Sequence, residues 1–130
     1  MHTIQAQAAQ ATNQAVAKAK QMGVPVNIAI LDTAGYLKSF VRMDDAYLGA
    51  IEVSMGKART AMLFRMNSEA VGEFMDPKNK AYGLVNSNGG LIGFKGGMPV
   101  KTKDEIVAYI GVSGGTIDQD FEIASAGSVI

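Results

Sequence analysis

Residues 24–41, VPVNIAILDTAGYLKSFV, read as two strands around a turn. Val24 to Leu31 is a dense run of apolar residues. Pro25 is admissible only near its start, because a proline inside a sheet removes a ladder donor. Asp32-Thr33-Ala34-Gly35 has the chemistry of a turn, and Tyr36 to Val41 returns as a second strand. So short a connection makes a hairpin, and a hairpin makes the sheet antiparallel at this point.

Upstream, residues 3–22 are rich in alanine, glutamine and lysine, which favour helix. Ile4, Ala8, Ala11, Ala15 and Ala19 recur every three or four residues, a small-residue stripe suited to close packing. Thr3 is placed to cap this helix and Gly23 to stop it. Downstream, Asp44 or Asp45 leads into a helical region from about Tyr47 to Phe64. There Ile51, Met55, Ala58 and Met62 form an apolar stripe, with Glu52, Lys57 and Arg59 largely off it. Ser68 is a candidate cap for a short helix over 69–74. Strands are expected at Leu91–Phe94, Met98–Thr102 and Ile106–Val112, and a closing helix from Thr116 or Ile117. This order predicts one α+β domain over residues 1–130, with an antiparallel sheet of about five strands flanked by helices.

The chain has 130 residues, 48% hydrophobic and 18% charged, so it can bury a core and is not of disordered composition. Twelve basic residues balance twelve acidic ones. That balance argues against a protein built to hold nucleic acid or an anionic membrane. No run approaches the roughly twenty apolar residues that span a bilayer. The N-terminus lacks the basic and apolar regions of a secretion signal, which reads as cytoplasmic. The absence of cysteine excludes disulfides and thiolate chemistry. A single histidine, His2, excludes a histidine-cluster metal site or a Ser-His-Asp triad within one chain.

Candidate chemistry gathers around Gly111-Val112-Ser113-Gly114-Gly115-Thr116. A glycine-rich turn between a strand and a helix exposes amides that can hold a carboxylate or phosphate. It serves equally as a joint needing residues without side chains. Ser113, Gly114, Gly115 and Thr116 are therefore candidate ligand contacts. Asp118 and Asp120 suit a helix start, and Asp120 could instead contact a loop or a substrate hydroxyl. Lys57 could fix a carboxylate, or act as a base if burial lowers its pKa. Arg42 could clamp a carboxylate or pair with Asp44 in a loop. Met43, Met55, Met62, Met66, Met75 and Met98 read as core, with lining of a haem pocket as the alternative.

Taken in order, several segments carry a resemblance to the GlcG/HbpS-like family. They are Asp32-Thr33-Ala34-Gly35-Tyr36-Leu37, Arg42-Met43-Asp44-Asp45-Ala46, Lys57-Ala58-Arg59-Thr60-Ala61, Gly89-Gly90, Gly96-Gly97-Met98-Pro99-Val100, Ile110 to Thr116, and Gln119-Asp120. That family includes haem-binding proteins of the HbpS type and the C-terminal domain of PduO-type proteins. The resemblance implies a profilin-like fold and a homo-oligomer, dimer-based and built up to a hexamer or octamer. Some relatives bind or degrade haem with a histidine from the first helix; here residues 3–22 contain none.

Three functions follow. One is an oligomeric binding or accessory protein for a small organic acid or planar cofactor in a catabolic pathway. Another is a cofactor-independent tautomerase, hydratase or hydrolase acting on a small carboxylic acid. There Asp120 or Glu52 would move a proton, Lys57 or Arg42 would hold the acid, and the Ser113–Gly115 amides would stabilise an oxyanion. The third is haem binding or haem degradation.

Overall fold

A computed structural model describes residues 3–130. The expectation concerning His2 lies outside the described residues. The elements run α1 (Ile4–Met22), β1 (Asn27–Leu31), β2 (Leu37–Arg42), α2 (Ala50–Phe64), α3 (Ser68–Met75), two short tight-helix turns (Pro77–Asn79 and Tyr82–Gly89), β3 (Gly97–Thr102), β4 (Glu105–Ser113) and α4 (Ile117–Gly127). The strands form one antiparallel sheet in the order β2-β1-β4-β3. The fold is α+β, a sheet with helices on both faces.

Strand alternation assigns the faces. Ile28, Ile30, Ile110 and Val112 point to the face covered by α1 and α4, where they meet Ala8, Ala11, Ala15, Ala19, Ile123 and Ala124. The alanine stripe of α1 is buried as its spacing predicts. Leu31 and Tyr109 point the other way, onto Ala58 and Ala61 of α2. Thr3 caps α1 by accepting from the Ala6 amide (3.1 Å), and Gly23 ends it at φ 70°.

Three expectations are corrected. The segment Leu91–Phe94 is not a strand, so the sheet has four strands among the described residues rather than five. Its backbone bonds to a helix instead, the Ile92 amide donating to Thr60 Oγ1 at 3.0 Å. Helix α2 buries only part of the stripe Ile51, Met55, Ala58, Met62: Ala58 is fully buried and Met62 packs partly buried on the core. Its buried residues are Ala50, Ser54, Lys57, Ala58, Thr60 and Ala61, and Met55 is exposed. The reason is distance: a Cβ on Gly111 would lie 1.9 Å from Ser54 O, so α2 rests on the backbone of β4 and only short side chains fit between. Ser68 is the first residue of α3 rather than its cap, which is Asn67. Its hydroxyl is turned inward, donating to Phe94 O (2.6 Å) and accepting from the Gly97 amide (2.9 Å).

The two edges of the sheet differ. Along β3, Gly97 to Val100 are buried, and the C-terminal residues lie beside Lys101. The Lys101 amide donates to Ser128 O (2.8 Å) and the Ile130 amide to Lys101 O (3.0 Å). Along β2, by contrast, Leu37, Lys38 and Arg42 are exposed. No helix among the described residues is long and apolar enough to cross a membrane.

Candidate functional site

Lys57 and Asp120 come from opposite sides of the sheet and meet. From α2, Lys57 Nζ passes the start of β3 and donates to Asp120 Oδ2 on α4 at 3.0 Å and to Val112 O at 2.8 Å. Its side chain is fully buried and that of Asp120 is 3% exposed. The Phe94 ring lies 5.0 Å from Nζ, a further favourable contact for a cation. The passage exists because residues 96 and 97 are glycines. A Cβ on Gly96 would stand 2.9 Å from Lys57 Nζ, and one on Gly97 2.2 Å from Lys57 O. Burial lowers the Lys57 pKa below its ordinary 10.5, with Asp120 pulling it back up.

The glycine-rich joint closes on the same carboxylate. Gly115 N–H donates to Asp120 Oδ1 at 2.9 Å. Thr116 N–H donates to Gln119 Oε1 (2.9 Å), and Gln119 N–H returns to Thr116 Oγ1 (3.2 Å), a capping box at the start of α4. The Gly115 and Thr116 amides are thus satisfied by the chain's own groups, with Asp120 in the place of an external anion. Gly114 sits at φ 137°, close against Pro25 and Val26. Ser113 is buried at the end of β4, facing Asn27 of β1.

The remaining candidates stand apart. Arg42 is exposed at the end of β2, in register with Asn27, so it lies two strands from Ser113, about 10 Å away across the sheet. No ion pair joins it to Asp44 among the described residues. Glu52 is exposed on the first turn of α2. The structure therefore unites Lys57, Asp120, Gly115 and Thr116, and leaves Arg42 and Glu52 on the surface. Among the described residues no cluster of three or more acidic or imidazole side chains is placed to hold a metal.

Three clefts lie elsewhere, and neither Lys57 nor Asp120 lines any of them. A cleft of about 460 Å³ beside the glycine joint includes Gly114, Gly115 and Thr116, with Asp45 as its one charged lining residue. A groove of about 400 Å³ on α3 is apolar, formed by Met75, Val85, Leu91 and Phe94 with Asp76 at its rim. A third cleft, about 450 Å³, opens between the α2–α3 turn, β3 and α4. Arg65 and Lys101 are its charged residues, no acidic side chain lines it, and Met66, Met98 and Phe121 give it apolar walls. Ser125 adds a hydroxyl, which donates to Phe121 O at 2.8 Å.

Arg65 reaches this cleft through an uncommon backbone state. It caps the C-terminus of α2 at φ 55°, ψ 41°, a left-handed position usually given to glycine, and its amide returns to Ala61 O. Burial raises the pKa of Tyr109 on β4, and the nearby Arg65 charge acts against that rise. Arg65 and Lys101 were not singled out in the sequence. The available signal was the Arg65-Met66-Asn67 break, which separates two helices without a glycine or proline.

Comparison with known proteins gives concordant matches. Residues 4–128 match the family model described as haem degrading protein HbpS-like. An uncharacterised 15.0 kDa protein of Citrobacter freundii, from a dhaT-dhaS intergenic region, is 37% identical over 120 residues, spanning 91% of this chain and 84% of that protein. The crystal structure of Klebsiella pneumoniae ORFY superposes with a TM-score of 0.89 at 30% identity, covering 97% of this chain and 87% of the other. A PduOC:haem complex superposes at 0.86 with 31% identity, covering 93% and 88%.

Proposed function

Because this chain belongs to the HbpS-like family, we propose that it is a small accessory protein that binds haem or a related planar, carboxylated ligand, and that it holds this ligand by surface contacts rather than by a catalytic dyad. The observation that carries the reading is the Lys57–Asp120 pair. The two groups best suited to proton transfer are buried against each other, 3.0 Å apart, and line no cleft described above. Sealed in this way, the pair ties α2 to α4, which supports binding by other surfaces over proton transfer by this pair. The haem of the PduOC complex supports the choice of ligand.

Haem requires an apolar wall for the macrocycle, cations for its propionates and, in many proteins, an axial donor. This chain offers half-exposed thioethers, of which Met66 is 36% exposed, and exposed arginine and lysine beside apolar surface. Helix α1 carries no histidine, so a thioether is the available soft donor. The residues present fit such a group. When bound, haem would supply the redox and oxygen chemistry of its iron, and the chain's own side chains would orient the ring and neutralise its carboxylates.

A haemin titration of the purified protein, followed at the Soret band, tests the reading. Saturation at a fixed ratio of one haem per subunit or per dimer is expected, with micromolar or tighter affinity. An unsaturable, nonspecific spectrum would overturn it and direct the search to small carboxylic acids and their turnover.

A further inference from the structure

Deepening that reading, and resting on it, we infer that the Arg65–Lys101 cleft is the ligand site and that it recognises the ligand's carboxylates and planar face independently of any metal. Three observations, of charge, shape and placement, coincide at this cleft.

The first is charge. Arg65 and Lys101 line it with no acidic side chain among its lining residues, whereas the cleft beside the glycine joint offers Asp45 and the α3 groove offers Asp76. In a chain whose formal charges cancel, a concave surface with cations alone has a local field that attracts anions. The amides that would otherwise receive an anion, Gly115 and Thr116, are already bonded within the chain. The second is shape and polarity. A volume of about 450 Å³ falls in the range of small-molecule sites, and Met66, Met98 and Phe121 supply apolar walls for a flat ring. The Lys95 ammonium lies 5.3 Å from the Phe121 ring and is tied to Asp118 at 2.8 Å, which helps hold the wall in place.

The third is placement. Arg65 is held in a left-handed cap, and Arg65, Met66 and Asn67 line the cleft together with Met98, Pro99 and Lys101 of β3. The backbone of Lys101 is fixed on both sides, to β4 and to the C-terminal residues. Two cations on fixed backbone in a cleft of mixed lining, with Met66, Met98 and Phe121 as its apolar part, suit a ligand with an apolar body and carboxylates, the chemistry of a porphyrin dicarboxylate. Arginine can take a carboxylate with two parallel hydrogen bonds, and lysine serves as a point charge. Neither contact requires iron.

The test uses the full chain with ¹³C-labelled methionine methyl groups, titrated with metal-free protoporphyrin IX and separately with haemin. Ring currents should shift the Met66 and Met98 methyl signals and leave those of Met55 and Met75 in place. Arg65→Ala and Lys101→Ala should each weaken protoporphyrin binding about tenfold, the loss of one charge-assisted contact. Lys78→Ala, on the exposed turn after α3, should change nothing. The dimethyl ester of protoporphyrin should bind wild type no better than the free acid binds the double variant. If the Met75 methyl moves instead, or the double variant binds within about twofold of wild type, the cleft is not the site although the function stands. If haemin binds and metal-free protoporphyrin does not, recognition depends on iron and the inference fails. If neither saturates, the preceding reading fails and takes this one with it.

Discussion

Replacing Lys57 by methionine isolates the pair that joins the two faces of the sheet. Methionine nearly matches the lysine stem in length, so the channel past Gly96 and Gly97 stays filled, and what is lost is the ammonium. Asp120, 2% exposed, is then left as a buried carboxylate with one donor, Gly115 N–H, and Val112 O loses its 2.8 Å contact. Breaking a buried pair from one side costs about 3–5 kcal/mol, because the surviving charge is uncompensated. Adding Asp120→Asn removes that charge while keeping an acceptor for Gly115. The double variant should therefore be less destabilised than Lys57→Met alone, by about 1–2 kcal/mol relative to wild type, mostly from the unpaired Val112 carbonyl. Urea unfolding of wild type, both single variants and the double variant, followed by circular dichroism near neutral pH, gives the full cycle. A cost below about 1 kcal/mol for Lys57→Met, or a double variant no more stable than that single one, would refute the argument that the charges are mutually dependent.

The remaining predictions are shorter. Burial holds Lys57 below its ordinary 10.5, so between its folded value and 10.5 the unfolded chain binds the extra proton and stability contributed by this group rises with pH. The stability difference between wild type and Lys57→Met should accordingly grow as pH is raised toward 10.5, and a falling difference in urea titrations would contradict it. Gly111→Ala drives a Cβ to 1.9 Å from Ser54 O; backbone on both sides leaves little room to relax, and a loss of about 3 kcal/mol or more is expected in thermal or urea unfolding. Thr116→Ala removes the side-chain half of the α4 capping box and should cost about 1 kcal/mol in the same assay. Arg65→Gly relieves a non-glycine left-handed cap and should raise stability by about 0.5–1 kcal/mol while weakening porphyrin binding. Stability and binding moving together would refute that assignment.

The fold was readable where side chains advertise their surroundings. The hairpin of residues 24–41, the alanine stripe of α1 and the Thr3 and Gly23 caps follow from local pattern. The apolar stripe of helix α2 is borne out at Ala58 and Met62 but not at Met55, since the helix backbone lies too close to β4 at Gly111 for long side chains to fit between them. Apposition there favours serine and alanine and turns Met55 outward. Leu91–Phe94 has the composition of a strand, but Thr60, thirty-two positions earlier, takes its Ile92 amide. Lys57, Asp120 and the glycines were visible as a set of uncommon residues. That they bond to one another depends on α4 lying across the sheet from α2, which spacing along the chain does not encode. Arg65 and Lys101 were hidden for the same reason: one ends a helix, the other lies near the end of β3, and the fold brings them to one cleft.

The unequal flanks of the sheet limit how copies of this chain can add to one another. At β3, Pro99 has no amide hydrogen to offer, Val100 is fully buried and Ser128 and Ile130 already hydrogen-bond Lys101. Among the described residues only β2 presents a strand to an incoming neighbour, and Lys38 charges that rim. Strand-to-strand growth needs two receptive sides on every unit. With one, any pairing of β2 against β2 would consume both rims and stop at a closed two-fold pair rather than a fibre. The residues that seal β3 therefore also set an upper bound on runaway assembly, without any contribution from a binding partner.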